Sequence, residues 1–225
     1  TEHPVDWAMT QNNLGLALRV QGARLGGEDG AALLAETVAA YRAAQRVYTE
    51  AEHPVDWAAT QVNLGNALSD QGARLGGEAG AALLAKAVAA YRAAQRVYTE
   101  AEHPVDWAMT QNNLGLALRV QGAGLGGKAN AALLAEAVAA YCAAQRVYTE
   151  AEHPVDWAET MENIAIAEEN LADHETRANS VAHLRAGLEA VTAAMRVFEP
   201  EHMRNNFDRA ERLKTRLEAR LREGD

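Results

Sequence analysis

Glu2-His3-Pro4-Val5-Asp6-Trp7-Ala8 stands at the head of the chain and returns as Glu52 to Ala58, as Glu102 to Ala108 and as Glu152 to Ala158. The first 150 residues are one fifty-residue unit written three times, and a fourth unit keeps the frame before diverging. A fixed period of this length predicts a stacked array in which each unit buries its apolar surface against its neighbours. Function is then expected on a surface that the units share.

The punctuation inside each unit predicts two helices. Pro4 suits a first helical turn, where no amide donor is needed, and Asp6 places a carboxylate near the positive helix end. This first helix, A, should run to about Gln21 or Leu25. Gly22, Gly26, Gly27 and Gly30 then read as a turn, and Ala31 to about Thr49 as a second, alanine-rich helix, B. Leu34, Val38, Tyr41, Ala44 and Tyr48 recur at spacings of three and four, which gives helix B one buried stripe. Pro54 closes the connection and starts the next pair. No segment alternates as a strand does, so the fold class is all-α, an α-solenoid of antiparallel helix pairs at 1–50, 51–100, 101–150 and 151–199.

The fourth unit departs in wording. Ile164-Ala165 replaces the leucine-glycine pair, Asp173 to Thr176 replaces the glycine turn, and Gly187, Val191, Ala194 and Phe198 hold the helix-B slots. Beyond Pro200, a charged segment from Arg204 to Arg222 carries Phe207, Ala210, Leu213, Leu217 and Leu221 on one stripe. Residues 200–225 are accordingly expected to form a capping helix, with a partner-binding helix as the alternative. No comparable cap precedes Thr1, which suggests a piece of a longer array. The bare first hairpin should then expose a sticky apolar surface and offer a route to self-association.

The copies disagree along one face of helix A. From repeat one to repeat two, Met9 becomes Ala59, Asn12 becomes Val62, Leu16 becomes Asn66, Arg19 becomes Ser69 and Val20 becomes Asp70. At roughly 100° per residue these positions span an arc of about 100°, with Asn13 beside them and the unchanging Trp7, Gln11, Leu14, Gly15, Leu18 and Gly22 opposite. A drifting solvated face is one explanation. Yet Met9, Leu16 and Val20, and Met109, Leu116 and Val120 in repeat three, are more apolar than such a face requires. The favoured expectation is a ligand-facing groove of Met9, Asn12, Asn13, Leu16, Arg19 and Val20, continued by Val62, Asn63, Asn66, Ser69 and Asp70. Met109, Asn112, Asn113, Leu116, Arg119 and Val120 extend it, and Asn163 ends it.

Composition narrows the partners. The formal net charge of −10 argues against a nucleic-acid backbone or an anionic membrane. No apolar run is long enough to span a bilayer and no signal-peptide pattern is present, so a cytoplasmic location is the default expectation. Cys142 is the sole cysteine, which rules out an internal disulfide.

Several motifs fail as chemistry. Gly122 to Ala129 has phosphate-loop spacing up to Lys128, but Ala129 replaces the magnesium-binding hydroxyl and a helix precedes it where a strand is needed. His3, His53, His103 and His153 recur too far apart to share an ion with bonds of about 2 Å, and read as turn residues. Trp7, Trp57, Trp107 and Trp157 fall on the packing side. No nucleophile with a base and an orienting group is visible, so neither an enzyme nor a cofactor is expected.

Leu64-Gly65 with Leu68, followed by Ala87, Tyr91 and Ala94, resembles the tetratricopeptide repeat. Leu14, Gly15, Tyr41 and Ala44 fill the same slots in repeat one, with Thr37 for the first alanine, and Leu114, Gly115, Ala137, Tyr141 and Ala144 fill them in repeat three. The unit of fifty residues is longer than the family's repeat of about 34, which implies longer helices and an altered pitch. The resemblance implies a right-handed superhelix whose A helices line a concave groove for a peptide or partner helix. It also implies that Asn13, Asn63, Asn113 and Asn163 hydrogen-bond the bound backbone. The paired lysines of the carboxylate-clamp members are missing, so recognition of a C-terminal carboxylate is not implied. A non-enzymatic protein-interaction module is the expectation. The alternatives are a sensor or scaffold arm of a larger bacterial signalling or conflict protein, linked to a protease or nucleotide-switch domain, and a self-associating structural array.

Overall fold

A computed structural model describes residues 3–124, 128–174 and 176–224. Among them are nine α-helices and no strand: α1 Pro4–Leu25, α2 Gly27–Ala44, α3 Pro54–Leu75, α4 Gly77–Ala94, α5 Pro104–Gly124, α6 Lys128–Ala144, α7 Pro154–Ala172, α8 Arg177–Ala194 and α9 Arg204–Gly224. Each odd helix packs most extensively on the even helix that follows it, and each even helix packs on the next odd one. Odd helices touch their odd neighbours only lightly.

Helix B differs from its expected limits at both ends. Gly26 and Gly27 together reverse the chain, with φ 66° and 53°, left-handed conformations that cost glycine little. Gly27 to Gly30 then form the first turn of α2, closed by the Gly30 amide donating to the Gly26 carbonyl at 2.8 Å, four residues before the expected start. At the other end α2 stops at Ala44 and not near Thr49, because Arg46 and Val47 donate to carbonyls only three residues back. That tightening draws the chain into the turn that leads to His53. The histidine amide donates to the Thr49 carbonyl at 2.9 Å, and the Tyr48 ring meets the imidazole edge-on at 5.8 Å.

The core is a repeated contact between a glycine on helix A and a tyrosine on helix B. A Cβ added to Gly15, Gly65 or Gly115 would lie 2.6 to 2.7 Å from Tyr41, Tyr91 or Tyr141, and all three rings are buried. The absent side chain lets the two helices approach across the face of the ring. Between hairpins a second motif recurs. Arg96 donates to Glu50 of the preceding unit at 2.8 and 2.6 Å while its guanidinium lies 5.0 Å from the Trp57 ring. Arg146 joins Glu100 and Trp107, and Arg196 joins Glu150 and Trp157, in the same way.

The two ends of the stack differ. α9 packs on α8 and reaches α7, burying Ala210, Leu213 and Leu217. Arg209 forms a two-point pair with Glu162, and Arg216 pairs with Glu169 at 2.6 Å. At the other end Leu14 is 44% exposed, against 8% for Leu64 and 5% for Leu114. Thr10 and Ala17 are exposed as well, whereas Thr60, Thr110, Ala67 and Ala117 are buried beneath the preceding hairpin.

Candidate interaction surface

The changing face of helix A divides into seam and stripe. Positions one heptad apart, 12 and 19 in the first unit, meet the next helix A. The Asn63 amide donates to Asn12 Oδ1 at 3.2 Å, and Arg19 Nε donates to Asp70 Oδ2 at 2.7 Å. Asn163 donates to Asn112 in the same geometry at 3.3 Å. The fourth unit puts carboxylates in these slots, Glu162 and Glu169, and they hold α9. Asn12, Asn63, Asp70, Arg19, Asn112 and Asn163 are therefore bonded between helices.

Val62 departs from the groove expectation. It is 3% exposed and belongs to the core, because position 62 faces the next helix across the seam. Its aliphatic side chain offers no acceptor, and Asn113, where the first and third seams carry a bonded asparagine, makes no hydrogen bond among the described residues. Val120 is half-buried against the same core, and Ser69 and Arg119 are half-buried.

Asn66 also points inward chemically. Its Oδ1 accepts from the Tyr91 hydroxyl at 2.8 Å. Leu16 and Leu116 stand at that position in the flanking units and offer no acceptor. There, burial pushes Tyr41 and Tyr141 up to about 12, with the charges of Arg19 and Arg119 opposing. Leucine therefore comes with arginine three residues on, and asparagine with serine.

What remains open to solvent is a narrow stripe. Met9 is 51% exposed and Leu16 47%, with Asn13 and Val20 alongside, and Met109 and Leu116 repeat the pattern on α5. Between them α3 presents Ala59, Asn66 and Asp70 at the corresponding positions, all half-buried apart from the buried seam valine. The stripe thus has two apolar segments separated by a shorter, more polar one.

The other motifs settle into structural places. Trp57 and Trp107 are buried under the arginine ladder. Among the described residues no three His, Cys, Asp or Glu side chains gather as metal ligands, and no helix is long and apolar enough to cross a membrane. The phosphate-loop-like segment includes residues 125–127, which lie outside the described residues. Two features escaped sequence reasoning. Arg74 Nη2 donates to the Gly22 carbonyl at 2.9 Å across the first seam, and Asn130 Nδ2 meets His174 Nε2 at 2.9 Å across the third. The signal for the first was Gly124, which breaks the arginine otherwise shared by Arg24 and Arg74. No protein-family model matches the chain, and no curated protein matches it either.

Proposed function

We propose that this chain is a non-enzymatic docking module of the tetratricopeptide kind, a right-handed superhelix whose A-helix stripe receives a peptide or amphipathic helix from a partner protein. The observation that carries this is the solvent exposure of Met9, Leu16, Val20, Met109 and Leu116 on equivalent faces of α1 and α5. Large apolar side chains held in water on a regular surface are what a partner's apolar face covers. Methionine adapts its shape to the incoming side chain. Asn113, with no bond across its seam, supplies both a donor and an acceptor beside Met109 and Leu116. Asn13, exposed beside Met9, offers the same pair on α1.

Display selection of peptides against the chain, followed by titration of the selected sequences, tests this. Met9→Ser, Leu16→Ser, Met109→Ser and Leu116→Ser combined should weaken them tenfold or more, since fully burying each such side chain contributes about 1.5–3 kcal/mol. Glu36→Lys with Lys86→Glu, on exposed positions of α2 and α4, should leave them unchanged. Equal affinity for the stripe variant and the parent would place binding elsewhere.

A second reading, self-association through α1, is favoured by the contrast between exposed Leu14 and buried Leu64 and Leu114.

A further inference from the structure

We propose that the cleft between the first and second hairpins binds a small amphiphile with an apolar body and one carboxylate head, anchored by Arg74. The cleft has a volume of about 620 Å³. Small-molecule sites span about 300–1,000 Å³ and combine a largely apolar wall with a few placed polar groups. Here Ala31, Leu34, Leu75 and Leu83 supply the apolar wall, Gln71 an amide, and Arg74 the cation. Leu75 is 62% exposed, an apolar surface in water that an occupant would cover.

Arg74 is fixed and lacks a counter-ion. Its Nη2 donates to the carbonyls of Gly22 and Ala23 at 2.9 and 3.2 Å, which ties the guanidinium to the end of α1. Nε and Nη1 make no hydrogen bond among the described residues, and no carboxylate pairs with this arginine there. A chain with 31 acidic and 21 basic residues has carboxylates to spare, yet none lines this cleft. Glu28 and Asp29, in the first turn of α2, are exposed and outside it. A guanidinium with free donors above an apolar wall matches a carboxylate on an apolar tail, because a charge-assisted hydrogen bond from Nε or Nη1 meets the head while the wall covers the tail.

The neighbouring seams show that this cleft is particular to one junction. At the second seam Gly124 occupies the place of Arg74, Ala81 is buried where Ala31 is exposed, and the corresponding cavity is only about 240 Å³. At the third, the Asn130–His174 bond spans the junction. Gly30 completes the arrangement, because a Cβ at that position would lie 2.6 Å from Arg74 Nη1. The wedge and the space it opens thus belong together, apart from the Met9 and Leu16 stripe.

Calorimetric titration with sodium decanoate below its micelle concentration tests the proposal. The parent chain should bind it saturably, and decanol should bind at least tenfold more weakly. Arg74→Gln, which keeps a polar wedge without the charge, should weaken decanoate at least tenfold and leave decanol within about twofold. Ala31→Trp, filling the cleft from an exposed position, should abolish both. The stripe variant at Met9, Leu16, Met109 and Leu116 should bind decanoate as the parent does, which separates this site from the peptide surface. Absence of saturable decanoate binding to the parent would overturn the proposal. So would equal affinity in Arg74→Gln, decanol binding as tight as decanoate, or loss of decanoate in the stripe variant.

Discussion

Arg19 on α1 and Asp70 on α3 form an ion pair of 2.7 Å between the first helices of successive hairpins, with about a third of each side chain left exposed. The equivalent positions at the second seam are Ser69 and Val120, which cannot repeat it. The pair therefore belongs to one junction of an otherwise repeating array. A double-mutant cycle with Arg19→Ala and Asp70→Ala should give a coupling of about 0.5–1 kcal/mol in urea unfolding, shrinking in molar salt. Exchanging the two residues should recover most of the stability. A coupling of zero would show that solvent screens the contact completely.

The glycine under each tyrosine sets a steeper constraint. Gly65→Ala would put a Cβ 2.6 Å from Tyr91 Cε1, and the buried ring cannot swing clear. An exposed Gly→Ala change in a helix gains about 1 kcal/mol, so a net loss of about 1–3 kcal/mol here isolates the overpacking penalty. Thermal unfolding of Gly65→Ala checks it. A stabilised variant would mean that α3 and α4 can separate at little cost.

The docking of α9 should respond unequally to loss of either partner of its ion pair with α7. The Glu162 side chain is 2% exposed and that of Arg209 is 53% exposed. Removing Arg209 leaves a carboxylate enclosed, whereas removing Glu162 leaves an arginine that reaches water. Arg209→Ala should thus cost about 3 kcal/mol and speed amide exchange along α9, while Glu162→Ala should cost about 1 kcal/mol. Equal losses would indicate that water enters beneath α9.

Alkali should unfold the array through its tyrosines. Burial pushes Tyr41, Tyr98, Tyr141 and Tyr148 up to about 12 from an ordinary 10.0, and raises Tyr91 further. Above pH ~10 the unfolded chain loses phenolic protons that the folded chain keeps, so ionisation favours unfolding and stability falls as pH rises toward 12. Below pH 10 this contribution is complete. Tyrosinate absorbance should appear together with the loss of helicity. Ionisation near pH 10 in a fully helical chain would show the rings to be accessible.

At the equivalent positions of α1 and α5, Leu14→Arg and Leu114→Arg should diverge. Leu14 faces solvent and Leu114 is enclosed by the preceding hairpin, so the first change should stay within about 0.5 kcal/mol and the second should exceed about 3 kcal/mol. Sedimentation at rising concentration should show reversible self-association of the parent and its loss in Leu14→Arg. A strict monomer at all concentrations would remove the self-association reading.

Much of the architecture was legible in the repeat. Proline at each A-helix start, glycine at the first two reversals and the glycine-tyrosine spacing mark helices and their contact directly, since each depends on backbone geometry within one unit. The limits of helix B were less legible, because Gly27 belongs to the reversal and to the first turn of α2 at once, and Gly30, which looks like a turn residue, lies inside the helix. The seam was not legible. Whether position 12 or 19 faces solvent or the next helix depends on the rotation between hairpins, and side-chain period within one helix carries no record of it. Asn12, Arg19 and Val62 accordingly share one arc with Met9 and Leu16, which do stay exposed. Arg74 lies beyond the changing arc of helix A, so that arc carries no trace of its replacement by Gly124.

The alternation of seam chemistry bears on how such a chain folds at all. Residues 4–23 and 104–123 are identical, so during folding α5 could settle on the first hairpin in the place of α3. Asn113 could still meet Asn12 in that arrangement, but Arg19 would face Val120 and lose its carboxylate. The odd and even hairpins thus carry opposite chemical parity. Near-duplicate units are prone to joining out of turn, and here a handful of substitutions gives the array a counting order that its shared wording lacks.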